Sequence, residues 1–123
     1  MITFVVCGMG KEQIARAVQA AAGDRATVKV TSDFEAATAI ASGTADYYIG
    51  ACQSGAGSAL AVAIAVLGWD RVARLSGVGL KTADDAQIEQ YVREGKRAFG
   101  IAHSHVDSSV PVIVRAVLDT RAE

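Results

Sequence analysis

The stretch DYYIGACQSGAGSALAVAIAVLGWD, residues 46–70, carries no charged side chain between its two terminal aspartates. Roughly 20 uncharged residues suffice to cross a bilayer as a helix, so its length alone fits a membrane span. Its interior does not. Gln53, Ser54 and Ser58 lie among Gly50, Gly55 and Gly57, a composition that breaks a helix and favours a turn. The continuous apolar part, Ala59–Leu67, is about half a span, and neither flank has the basic cluster that sets orientation. The segment is better divided: a strand (YYIG), a loop (ACQSGAG), and a helix starting near Gly57 and ending at Gly68. Gly55 and Gly57 let the backbone approach a ligand, and the helix start aims N–H groups and a positive dipole end at it. The helix SALAVAIAVL is apolar all round, which demands cover on both sides. One face can lie on a sheet, and we expect a second subunit on the other.

The rest of the chain reads in the same alternation. Strands are expected at Ile2–Cys7, Ala26–Val30, Tyr47–Gly50, Arg71–Ser76 and Arg97–Ala102. Helices are expected at Lys11–Ala22, from Ser32 to Gly43, after Gly57, at Ala83–Glu94 and at Val110–Thr120. Ser32 with Glu35 forms a capping box, Thr82 with Asp85 another, and Pro111 sits in the first turn of the last helix. Strands alternating with helices imply right-handed βαβ units around a parallel sheet. The expected fold is therefore a single α/β domain over residues 1–123, doubly wound and Rossmann-like or flavodoxin-like. It would have three layers and a five-stranded parallel sheet of order 2-1-3-4-5.

Composition narrows the function classes. The 123 residues carry a formal net charge of −1, with lysines and arginines scattered rather than striped, so nothing attracts nucleic acid or an anionic membrane. Two cysteines are too few for a disulfide framework, and His103 and His105 have no pair of thiols to complete a zinc site. No metal or other cofactor is expected. The beginning MITFVVCGMGKEQ lacks a basic n-region and its apolar run is short for a signal peptide, which points to the cytoplasm.

In an open parallel sheet, ligands bind beyond the carboxyl ends of the strands where strand order reverses. The chemistry-bearing loops all fall on that edge. CGMGK follows strand one, with Cys7, Gly8, Gly10 and Lys11. CQSGAGS follows strand three, with Cys52, Gln53, Ser54, Gly55, Gly57 and Ser58. SGVGLK follows strand four, with Gly77, Gly79 and Lys81, and HSH follows strand five. Cys52, at a helix start, suits a nucleophile or base, although a small buried cysteine is also common. His103 and His105 suit general acid–base work or the capping of the last helix. Lys11 and Lys81 can neutralise an anion, and each also suits a solvated loop. Tyr47 and Tyr48 read as strand packing.

Three resemblances accompany these residues. The whole chain resembles the YhfU-like family of small bacterial proteins, through DYYIGACQSGAGSALAVAIAVLG, EQI in the first helix and EGKRAFGIAHSHV near the end; that family implies no activity. The spacing Cys52-x-x-Gly55-x-Gly57 is similar to a loop of type B ribose-5-phosphate isomerases. The resemblance implies Cys52 as a base and the glycine loop as the support of an enediolate. Gly8 and Met9 stand where that family has an Asp–His pair, and its asparagine-containing motif is absent. Cys7-x-x-Gly10 resembles the phosphocysteine loop of sugar phosphotransferase IIB domains, which implies phosphoryl transfer at Cys7 and a membrane-transporter partner. Here Lys11 and Glu12 replace the usual hydroxyl donors. The expectation with the broadest support is a site for a small anionic metabolite, phosphorylated or carboxylated, in a homo-oligomer.

Overall fold

A computed structural model describes residues 1–52, 58–76 and 81–122, with the backbone alone at Ser58, Ala59 and Ala122. The strands are β1 (Ile2–Gly8), β2 (Ala26–Val30), β3 (Tyr47–Cys52), β4 (Val72–Arg74) and β5 (Ala98–Ala102). The helices are α1 (Lys11–Ala22), α2 (Asp33–Ser42), α3 (Ser58–Leu67), α4 (Asp85–Arg93) and α5 (Val106–Ala122). All strand pairings are parallel. Alternating side chains divide the core between two faces. Phe4, Val6, Ile49, Phe99 and Ile101 meet α1, α4 and α5 on one face. Val5, Cys7, Tyr48 and Ala98 meet α2 and α3 on the other. No helix among the described residues is long and apolar enough to cross a membrane.

The strand order is β2-β1-β3-β5-β4, which corrects the expected 2-1-3-4-5. The last two strands are exchanged for a packing reason. AFGIA of β5 is buried along its whole length and belongs inside the sheet, whereas β4 is three residues long and ends in Arg74, as suits an edge. Gly100 completes the fit: a side chain there would run into Leu60 of α3, so α3 rests directly on β5.

Three local expectations are also corrected. The last helix starts at Val106 rather than Val110, because His103–His105 form a 3₁₀ turn that feeds it. Pro111 therefore lies inside the helix, where its missing N–H costs one backbone bond. Buried Val106, Val110, Ile113, Val114 and Val117 hold that helix against the sheet regardless. The cap of α4 is Asp84, whose carboxylate accepts from Gln87 N–H at 2.9 Å, and not Thr82. Ser32 caps α2, its Oγ accepting from Glu35 N–H at 3.2 Å, while the Glu35 carboxylate accepts from Thr31 Oγ1 at 3.2 Å.

Candidate functional site

The corrected order bears directly on the site. The helix after β1 and the helix after β5 leave toward one face of the sheet, and α3 after β3 leaves toward the other. The helices thus part to opposite faces at two strand boundaries, between β1 and β3 and between β3 and β5, the kind of place where open α/β sheets bind ligands. Cys52, the last residue of β3, lies between them. Under the order 2-1-3-4-5, the HSH loop would have been two strands away; in the observed order Cys52 is the register partner of Ala102, immediately before His103.

Short-range contacts join these loops. Gly8 is the register partner of Ala51. It has φ +86°, and a side chain on it would collide with the Ala51 carbonyl. That same carbonyl accepts from Met9 N–H at 2.8 Å. Gly10 has φ +71° and forms the amino cap of α1 without a side-chain partner. The imidazole of His103 lies against it, so that a Cβ on Gly10 would stand 2.5 Å from Nε2. His103 Nε2 is 3.2 Å from Gln13 Oε1, and Gln13 Nε2 donates to Asp107 Oδ1 at 3.1 Å. Ser76, fully buried at the end of the β4 segment, accepts the Ala102 N–H at 2.8 Å.

The candidate residues thus separate. Gly8, Gly10, Lys11, Cys52 and His103 come together at the ends of β1, β3 and β5. His105 is occupied differently, with Nδ1 3.3 Å from Ser104 Oγ and Nε2 3.4 Å from Thr82 Oγ1, and ties the β5–α5 turn to the segment before α4. Lys81 is exposed. Gln53, Ser54, Gly55, Gly57, Gly77 and Gly79, and the side chain of Ser58, lie outside the described residues.

Cys7 belongs to the core rather than to the loop. It has no exposed surface. Burial, together with the Asp33 carboxylate, pushes its thiol up to about 12, against the smaller opposing effect of a hydrogen bond from Tyr48. Burial in the core thus disfavours the thiolate that phosphoryl transfer at Cys7 would need. Tyr48 is equally buried, and its hydroxyl is raised well above the ordinary tyrosine value by burial and by Cys7. Tyr47 packs in the opposite core, with the guanidinium carbons of Arg97 and Arg121 5.1 Å and 5.5 Å from its ring centroid. Both cysteines are present as thiols.

Gln13 and Asp107 were missed in reading the sequence. Both lie in the first turns of helices, and only the spatial meeting of α1 and α5 brings Gln13 to His103 and Asp107 to Gln13. Among the described residues no group of three His, Cys, Asp or Glu side chains could hold a metal. A cleft of about 380 Å³ lies at the opposite edge, bordered by Met1, Arg25, Asp46 and Arg121. It is wide open, and Arg121 is already engaged with Asp46 at 3.4 Å, so the carboxyl edge is the better candidate.

Residues 2–117 match the family described as Protein of unknown function DUF2620. The chain belongs to that family. It is 41% identical over 109 residues to "Uncharacterized protein YhfU" of Escherichia coli strain K12, covering 89% of this chain and 92% of that one. The Shigella flexneri protein of the same description matches to the same extent. Among solved structures, the fold is similar to type B ribose 5-phosphate isomerase of Trypanosoma cruzi, with a TM-score of 0.71 and 15% identity over 94% of this chain and 83% of that one. Ribose-5-phosphate isomerase B of Giardia lamblia gives 0.64 and 17% identity over 97% and 91%. At such identities the likeness establishes a shared fold. This DUF2620 chain therefore has the architecture of those enzymes, with its own residues at the strand ends.

Proposed function

We propose that this protein binds a small phosphorylated sugar at the carboxyl edge of β1, β3 and β5, with Cys52 placed to move a proton on it. The observation that carries this reading is the meeting of the carboxyl ends of three adjacent strands, β1, β3 and β5. Gly8 packs on Ala51, the His103 ring packs on Gly10, and Cys52 stands opposite Ala102. Bare glycine backbone at α1's start, with Lys11 as its first residue, suits an anionic group.

The shared architecture with the ribose 5-phosphate isomerases supports proton transfer rather than storage of the ligand. In that chemistry Cys52 takes a proton from the carbon beside a carbonyl and returns it to the neighbouring carbon. His103 serves the oxygen atoms, because Gly8 and Met9 leave no ionisable side chain in the β1 loop ahead of Lys11.

The test has two stages. Ribose 5-phosphate, other sugar phosphates and small carboxylates are screened by thermal shift; at about one hundred times Kd a ligand adds about 2.7 kcal/mol of stability. Deuterium exchange from solvent into the bound sugar phosphate then reads the chemistry, and Cys52→Ala is expected to abolish exchange while binding persists. Binding without exchange in the wild type would reduce the proposal to a metabolite-binding protein. No shift with any anion would remove it altogether.

We further propose that the functional unit is a homodimer formed through α3. Leu60 and Ala63 of α3 face the sheet and are buried, whereas Ala61 and Ala65 are exposed and no residue of the helix is charged. A self-complementary apolar face with no charge to repel its own copy suits a symmetric contact.

A further inference from the structure

Gln13, His103 and Asp107 form one hydrogen-bonded chain across the first turns of α1 and α5, and its chemistry has a fixed direction. A carboxylate only accepts, so the amide nitrogen of Gln13 must face Asp107, as it does at 3.1 Å. That turns the amide oxygen toward His103, and an amide oxygen also only accepts. The ring atom 3.2 Å away, Nε2, must then carry hydrogen. A neutral imidazole carries one N–H, which leaves Nδ1 with the lone pair. His105 makes the contrast. Both of its nitrogens meet hydroxyl groups, which donate or accept as required and impose no tautomer.

We propose that Gln13 and Asp107 are positioning residues that hold His103 as its Nε2–H tautomer, making Nδ1 the proton-accepting atom of the site. This rests on the reading of His103 as a ligand-facing group given above. Gly10 contributes the seat: the ring lies against its bare α-carbon, which fixes the imidazole over the start of α1. When a substrate O–H bond breaks, its proton forms the Nδ1–H bond. The resulting imidazolium keeps its Nε2–H on Gln13 Oε1, and the Asp107 carboxylate beyond the amide offsets the positive charge. The amide takes no proton at any stage.

The experiment is a two-bond ¹H–¹⁵N correlation spectrum of the full chain labelled at histidine nitrogens, with His103→Ala assigning the signals. It is recorded above the pH at which His103 is found to titrate. In the wild type, Nε2 is expected in the pyrrole-like range and Nδ1 in the pyridine-like range. Asp107→Asn keeps the shape but lets the Gln13 amide turn over, so both nitrogens should move to averaged positions, as they should in Gln13→Leu. Asp107→Glu should restore the single tautomer. Thermal melts confirm that each variant is folded. An Nδ1–H tautomer in the wild type, or an unchanged ring in both Asp107→Asn and Gln13→Leu, overturns the proposal. Ribose 5-phosphate added to the same sample separates the two readings. A ring held as Nε2–H that ignores every sugar phosphate defeats the ligand site and with it the role of Nδ1. Ligand-induced shifts on an Nδ1–H ring defeat the positioning alone.

Discussion

Ser76 Oγ accepts the backbone N–H of Ala102 at 2.8 Å, and both residues are buried. One hydroxyl thus joins the end of the β4 segment to the end of β5, at the residue that pairs with Cys52 and precedes His103. Ser76→Ala removes the acceptor and leaves a buried N–H unsatisfied, which costs about 1–3 kcal/mol. Urea unfolding should show that loss without a change in m-value. The amide resonance of Ala102 and the ring resonances of His103 should move together.

Gly10→Ala should cost more than its backbone conformation alone accounts for. Alanine in the left-handed region costs about 1–2 kcal/mol. Gly43→Ala provides the reference, since Gly43 has φ +83° with open space around it. At Gly10 the new methyl group must also displace the His103 ring. The excess of Gly10→Ala over Gly43→Ala should therefore disappear in a His103→Ala background, as a double-mutant cycle measured by urea unfolding would show.

Much of the fold was legible because its signals are local. The bounds of α1 and β2 and the Ser32 cap of α2 follow from residues within a few positions of one another. The order of β4 and β5 depends instead on which strand α3 covers, a long-range matter settled by Gly100 beneath Leu60. A signal was nevertheless present: AFGIA is an uninterrupted apolar run that suits an inner strand, and Arg74 suits an edge. The site was legible one loop at a time. The hydrogen bond from Gln13 to Asp107 was not, since it joins residues 94 positions apart and neither lies in a motif with its own chemistry.

The outer face of α3 should govern self-association. Ala61 and Ala65 are exposed there, Trp69 just beyond the helix is 70% exposed, and Phe34 of α2 is 65% exposed. Sedimentation velocity is expected to show a dimer at micromolar concentration. Ala65→Glu would place a charge against its own copy in a symmetric contact, and should give a monomer with unchanged helical content. A wild-type monomer at all accessible concentrations would remove the dimer from the proposed function.

The buried Cys7–Tyr48 pair sets the response to alkali. Both groups are neutral when protonated, and burial raises both above their ordinary values, Cys7 from 9.0 to about 12. The unfolded chain therefore loses these protons first, and between pH 9 and 12 it binds fewer of them than the native state. Stability contributed by the pair is fully present below about pH 9 and declines as pH rises toward 12, by at most about 1.4 kcal/mol per pH unit for each group. Cys7→Ala should lose about 1 kcal/mol at neutral pH through the missing sulfur atom, and should then show a shallower decline above pH 9. Tyr48→Phe should flatten the same region. Urea midpoints measured from pH 7 to 11 decide the matter: equal slopes for the wild type and both variants would mean that neither group titrates as its burial requires.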